Sequence, residues 1–371
     1  MTLHVSDADL ADLRERLGRT RWAKSWPVDP WAAGTDGGEL RRLVDYWASS
    51  YDWRKHEAAI NALPSRFADI AGATVHYLRY DAEREGAPPL LLINGWPSSF
   101  LELTGLAERL STPSKFGGRP EDAFTVIVPS LPGYGLSEQR PALGGVPVHE
   151  IWHRLMHDEL GFERYGVHGS DIGAGDAGWL AEAHPEAVTG LHVLDVTGPA
   201  ASEPADLTDD ERAWLAENKR WHADEGGYSH EQRTRPLTAA QGLSDSPSGL
   251  LAWILEKYRA WSDCDGDVSA KFGDDFLLTQ ASLYWFTNTI STSFRPYYER
   301  YHQLVPRLER VTVPTAVAFF PADIGGRQPR AWVERFYNVV RYTEMPRGGH
   351  FAALEEPDLL ATDITTFFRQ L

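Results

Sequence analysis

VHGSDIGAG, residues 167–175, decides how this chain is read. It closes a short apolar run, RYGVHGS (164–170), that has the pattern of a buried strand, and it opens onto a helical stretch at 177–183. A chain that turns this sharply from strand to helix can lift one side chain clear of the sheet, provided the residues two positions to either side are small. Gly169 and Gly173 stand at that spacing about Asp171, so the exposed apex carries a carboxylate. Ser170 does not meet the condition, because centring on it puts His168 and the β-branched Ile172 at the crowded positions, where unfavourable backbone angles are costly. The plainer alternative is a Gly-rich turn, or a phosphate loop, in which Asp171 serves only as a helix cap.

The segments on either side of this turn alternate between strand and helix. ATVHYLRY, beginning at 73, alternates like a strand, and PPLLLING (88–95) is an apolar run suited to burial on both faces. AFTVIVPS (123–130), GLHVLDV (190–196), TAVAFFPAD (315–323) and RYTEM (341–345) continue the series with helical stretches between them. The expectation is an α/β fold with a mostly parallel sheet starting at about residue 72. Before it lie three helical patterns, 6–19, 39–49 and 53–63, the first with Leu10, Leu13 and Leu17 behind Ser6. Residues 200–305 lose strand character and become helical and rich in Trp and Tyr. The predicted organisation is a helical extension (1–71), a core (72–199 and 306–371) and an inserted helical lid (200–305).

Composition narrows the function. The chain of 371 residues carries 53 acidic and 36 basic side chains, a formal net charge of −17, which disfavours nucleic acid and anionic membrane surfaces as partners. Its single cysteine, Cys264, cannot form an internal disulfide, and the acidic N-terminus lacks the charge and apolar run of a signal peptide. No apolar stretch approaches the roughly 20 residues needed to span a bilayer. A soluble, cytoplasmic protein is expected, with self-association into a homo-oligomer left open.

Two further loops carry chemistry. In INGWPSSF (93–100), Gly95 and Pro97 turn the chain straight after a strand, where one backbone N–H can face a developing oxyanion while the residue after a nucleophile supplies a second. Trp96 and Ile172 are those candidates; an ordinary turn around a buried Trp is the plain alternative. In PRGGHFAALEEP (346–357), His350 follows the last strand and is the candidate general base, with the chain order nucleophile, acid, histidine. Asp323, ending FFPAD, is the preferred carboxylate to orient its imidazole, and Asp195 is the rival.

Together these residues resemble the microsomal-type and juvenile-hormone-type epoxide hydrolases of the α/β-hydrolase superfamily, over nearly the whole chain. The resemblance rests on NGWPS (94–98), GSDIG (169–173), FPAD (320–323) and GGHFAALEEP (348–357). It extends to the lid segments EGGYSHEQRTRPLT (225–238), DSPSGLLAWILEK (245–257) and YWFTNTISTSFRPYYE (284–299), and to the N-terminal extension with its tryptophans. It implies that Tyr228 and Tyr297 hydrogen-bond an epoxide oxygen, with Tyr298 the neighbour that a one-residue slip would promote. Asn94 stands where the family motif begins with His, and Ile172 where Trp is common; both alter the walls of the pocket without removing a backbone donor.

The implied reaction takes a small apolar or aromatic epoxide and water to a vicinal diol. Asp171 attacks carbon while the two phenols, protonated at neutral pH, assist the departing oxygen; His350 with Asp323 then activates water against the ester. No metal or organic cofactor is implied, and no HExxH or paired Cys/His spacing is present. The alternatives are an epoxide-opening cyclase or isomerase, a haloalkane-type hydrolase, which would stabilise a halide with indole or amide donors instead of tyrosines, and a non-enzymatic ligand-binding relative.

Overall fold

The computed structural model describes residues 2–196, 204 and 206–371. Its sheet has eight strands: β1 (Ser65–Ile70), β2 (Ala73–Tyr80), β3 (Pro89–Ile93), β4 (Thr125–Pro129), β5 (Tyr165–Gly169), β6 (Val188–Val193), β7 (Val311–Phe319) and β8 (Tyr337–Glu344). Their order is β1-β2-β4-β3-β5-β6-β7-β8. The pairs β1–β2 and β2–β4 are antiparallel and all others parallel, so the fold is the α/β-hydrolase fold, a mostly parallel sheet flanked by helices. Leu90 to Ile93 of β3 and Val126 to Val128 of β4 are fully buried, as strands covered on both faces must be.

The sheet begins earlier than the expected residue 72. SRFADI pairs with β2 as a hairpin through Ala71 and Gly72, both at positive φ as a two-residue primed turn requires. Its exposed Arg66 and Asp69 hide the strand in the sequence, since an edge strand needs only one apolar face. The expected 341–345 strand is likewise longer, running from Tyr337.

Parallel register aligns the ends of the strands that build the site. Ile93 pairs with Gly169, Gly169 with Val193, and Val193 with Val317. The loops bearing Trp96, Asp171, Asp195 and Asp323 therefore leave one edge of the sheet side by side, the edge where parallel sheets open a crevice. An isolated bridge between Ala322 and Gly349 joins the Asp323 loop to the His350 loop.

Helices from Asp209–Asp224 to Arg295–Tyr301 lie over that edge. The expected start of this lid, from residue 200, falls largely outside the described residues. The N-terminal helices Asp7–Gly18, Gly37–Ser49 and Trp53–Ala62 bury Leu10, Leu43, Trp47 and Trp53. These helices and the turns between them brace the lid: the Trp47 indole N–H donates to Ser282 Oγ at 3.0 Å, Thr35 Oγ1 to the Ala252 carbonyl at 2.6 Å, and Tyr51 Oη lies 2.9 Å from Thr279 Oγ1. No helix among the described residues is long and apolar enough to cross a membrane.

Candidate active site

Asp171 ends the link between β5 and the helix Ile172–Ala183, with φ 51° and ψ −124°. A non-glycine residue in this region is strained, by about 1–3 kcal/mol, and needs surroundings that hold it there. The flanking glycines show what those surroundings demand. A Cβ on Gly173 would lie 2.7 Å from the Asn94 carbonyl oxygen, and one on Gly169 would lie 2.6 Å from the carbonyl carbon of Gly173. Gly95 has a requirement of its own, because a Cβ there would lie 2.6 Å from Asp171 Cγ, inside its carboxylate.

The carboxylate is placed by one hydrogen bond and faces one histidine. The Trp96 backbone N–H donates to Asp171 Oδ1 at 2.8 Å. Oδ2 lies 3.7 Å from His350 Nε2, and His350 Nδ1 lies 2.8 Å from Asp323 Oδ1. Asp171, His350 and Asp323 are thus brought into one line, with Trp96 and Ile172 beside the carboxylate. The His350 loop is shaped from outside. Its backbone N–H donates to the Trp261 carbonyl at 2.8 Å, and Glu355 accepts from the N–H groups of Phe351 (3.0 Å) and Asp263 (2.7 Å). Burial alone would lower the His350 pKa, but the charges of Asp323 and Asp171 overcome it and push it up to about 10.

Tyr228 and Tyr297 come from the lid helices Gly227–Thr234 and Arg295–Tyr301, with ring centroids 6.1 Å apart. Trp96 stacks on Tyr228 at 5.3 Å and meets Tyr297 edge-on at 6.1 Å, so the loop that holds the Asp171 carboxylate also seats both phenols. Burial, and next the Asp171 charge, hold both phenols above their ordinary pKa, so each remains a proton donor. Tyr298 turns elsewhere: its ring lies 4.1 Å from that of His302, and it lines an outer groove with Leu237 and Arg295.

Asp195 stands near Asp323 and Asp171 without taking the place of Asp323 at His350 Nδ1. Gln328 holds its loop by accepting from the Val196 N–H at 2.9 Å and donating to the Val196 carbonyl at 3.1 Å. Burial, then the charges of Asp323 and Asp171, push its carboxyl up to about 8.

Sequence reasoning missed Glu102. Burial pushes its carboxyl up to about 7, opposed by Ser98 and by the His350 charge. The signal was a lone acid inside the apolar FLEL (100–103). Ser98 itself joins the Trp96 loop to the lid, taking the Tyr284 hydroxyl on its carbonyl at 3.0 Å and the Tyr258 hydroxyl on Oγ at 3.3 Å. Among the described residues no group of three or more His, Cys, Asp or Glu is arranged to hold a metal ion.

Comparison with known proteins gives a consistent relationship. Residues 1–103 match the family described as "Epoxide hydrolase N terminus", and residues 88–223 the family "alpha/beta hydrolase fold". The chain is 34% identical to Epoxide hydrolase 1 of Sus scrofa over 98% of its own length and 87% of that protein. It is also 34% identical to Juvenile hormone epoxide hydrolase 2 of Ctenocephalides felis, covering 97% of this chain and 83% of that one. The structure of Aspergillus niger epoxide hydrolase superposes with a TM-score of 0.86 at 31% identity, covering 100% of this chain and 95% of that one.

Proposed function

This chain belongs to the epoxide hydrolases of the α/β-hydrolase fold, and from that premise we propose that it opens an epoxide through an ester on Asp171 and releases a vicinal diol. The observation that carries this reading is the division of the Asp171 carboxylate. Oδ1 is held by the Trp96 N–H, so it remains the carbonyl oxygen, and Oδ2 is left to attack carbon.

In the first half-reaction Oδ2 bonds to an epoxide carbon as the C–O bond to the ring oxygen breaks, and that oxygen takes a proton from Tyr228 or Tyr297. The product is a hydroxyalkyl ester and a tyrosinate. Alkylation also removes one of the two carboxylate charges that hold the proton on His350, so the imidazolium yields it to the tyrosinate and becomes a base. His350 then takes a proton from water as the water oxygen adds to Asp171 Cγ. Negative charge develops on Oδ1, where the Trp96 and Ile172 N–H groups oppose it; one such donor is typically worth about 2.7–4 kcal/mol. Collapse expels the alkoxide, which takes the proton of the new carboxyl group. Diol leaves, and Asp171, His350 and both phenols are back in their starting states. Asp323 stabilises the imidazolium throughout.

The packing of Tyr228 against the Trp96 and Trp261 rings makes the surroundings of the phenol apolar and supports a small apolar or aromatic epoxide as substrate. The test is the intact mass of His350→Gln enzyme quenched in acid after exposure to aryl and alkyl epoxides. A gain equal to one whole epoxide, absent from Asp171→Ala enzyme, is expected. No adduct from any epoxide, with no diol from the wild type, would overturn the mechanism.

A further inference from the structure

Arg300 lies one turn beyond Tyr297 on the lid helix Arg295–Tyr301, so the two side chains share a face of that helix. Its Nη2 donates to the Ile172 carbonyl at 2.9 Å and lies 3.4 Å from Asp176 Oδ1, and its guanidinium carbon sits 4.9 Å from the centroid of the Trp179 ring. All three partners belong to the helix Ile172–Ala183, which starts at the residue after the nucleophile. One side chain therefore ties the helix carrying a phenol to the helix rooted at Asp171.

The contact has two features that surface ion pairs lack. A guanidinium can hold a carbonyl, a carboxylate and an indole face at once because its donors lie in a fixed plane, so it sets orientation as well as distance. It also places a positive charge beside the phenol. The charged and titratable groups acting on Tyr297 are Asp171, Tyr228 and Tyr134, which resist its ionisation, and Arg300, which favours it. Behind the contact, Arg140 pairs with Glu299, which also accepts from Arg295.

We infer that Arg300 is a positioning residue for ring opening: it fixes Tyr297 over Asp171 and stabilises the negative charge that Tyr297 acquires as it gives up its proton. The inference rests on the proposed role of Tyr297. It also predicts which half-reaction is affected, because the attack of water on the ester uses His350 and the oxyanion donors after Tyr297 has taken back its proton.

The experiment is rapid-quench mass spectrometry of single turnovers with styrene oxide as probe, resolving ester formation from ester decay, on wild type, Arg300→Gln, Arg300→Lys and Tyr297→Phe, with folding checked by circular dichroism. Arg300→Gln is expected to slow ester formation roughly tenfold or more, the scale of one charge lost near a buried anion, and to leave ester decay within about twofold. Arg300→Lys, which keeps the charge, should recover most of the rate. Should Arg300→Gln fail to fold, the double variant Asp176→Asn/Arg300→Gln, which leaves no buried carboxylate without its cation, carries the same measurement. Equal slowing of both steps, or a Lys variant as slow as Gln, would reduce Arg300 to a structural link and overturn the inference. Normal ester formation in Tyr297→Phe would instead overturn the role of the phenol on which it rests.

Discussion

Replacing Asp323 with Asn separates the two half-reactions proposed for this enzyme. In the structure Asp323 Oδ1 lies 2.8 Å from His350 Nδ1, and both side chains are nearly out of contact with solvent, at 9% and 5% exposure. An asparagine can accept from the same N–H but brings no charge, so the variant keeps the geometry and loses the electrostatic part of the interaction. A hydrogen bond to a charged group is worth about 1.5–3 kcal/mol, against about 0.5–1.5 for a neutral one. The lost fraction, about 1–2 kcal/mol, is roughly 5- to 30-fold in rate. That loss falls on the step in which His350 becomes positively charged, the attack of water on the ester. Hydrolysis should slow by this factor while ester formation holds. As a consequence kcat falls, KM falls with it, kcat/KM stays near the wild-type value, and ester accumulates in the steady state. Pre-steady-state quenching followed by intact mass reads the ester directly. A variant whose kcat/KM falls as far as its kcat, with no ester visible, would refute the assignment of Asp323 to the second step.

Gly95→Ala would drive a methyl group into the Asp171 carboxylate, whose Cγ lies 2.6 Å from the required Cβ position, so ester formation should be lost while circular dichroism shows the fold retained. Tyr297→Phe should slow ester formation by about a hundredfold, the lower range for loss of a general acid, whereas Tyr298→Phe, whose ring packs on His302, should leave it unchanged in the same assay. Asp195→Asn should alter stability in a pH-dependent way. The folded carboxyl is raised to about 8, so its contribution is present at acid pH and lost as pH rises through that value. Relative to wild type, an uncharged isostere should therefore gain Tm progressively from about pH 4, where the unfolded carboxyl ionises, to about pH 8, and level off above it; a constant difference across that range would remove Asp195 from the site's electrostatics.

The elbow could be read from sequence because its constraint is local and steric. Positions two residues from the apex must lack a Cβ, and that leaves a visible mark, Gly-x-Asp-x-Gly. The helix after it starts at Ile172, ahead of the 177 that the sequence pattern marks, because Gly173 and Gly175 depress helix propensity just where the elbow needs small residues. Tyr297 and Tyr298 could not be separated by spacing alone: one residue on a helix is about 100° of rotation, and only the packing of Arg295–Tyr301 decides which phenol turns inward. Glu102, whose one signal was an acid within FLEL, and Arg300 are hard to read for another reason. A single acid in a short apolar turn and a single arginine on a polar helix read as ordinary surface residues, and what distinguishes them are partners such as Ser98 and the Ile172 carbonyl, the second 128 residues away.

The extension and the lid then acquire a mechanical relation to the chemistry. The proposed ring opening needs two phenols held opposite a carboxylate, yet the phenols and the carboxylate sit on separate parts of the chain. Three sets of contacts remove that freedom. Ser98 takes the hydroxyls of Tyr258 and Tyr284, fixing two lid helices to the loop that holds Asp171. Trp47, Tyr51 and Thr35 brace those lid helices from the outer side, which gives the N-terminal tryptophans a reason to be buried that does not involve substrate. The Trp261 carbonyl, at the end of one of the same helices, accepts from the His350 backbone, so the imidazole is referenced to the lid as well. A change in the extension should therefore be felt first as a loss of alignment between phenols, carboxylate and imidazole. Because near-attack geometry tolerates errors of only about 1 Å before rates fall steeply, such changes should depress ester formation before they unfold the protein.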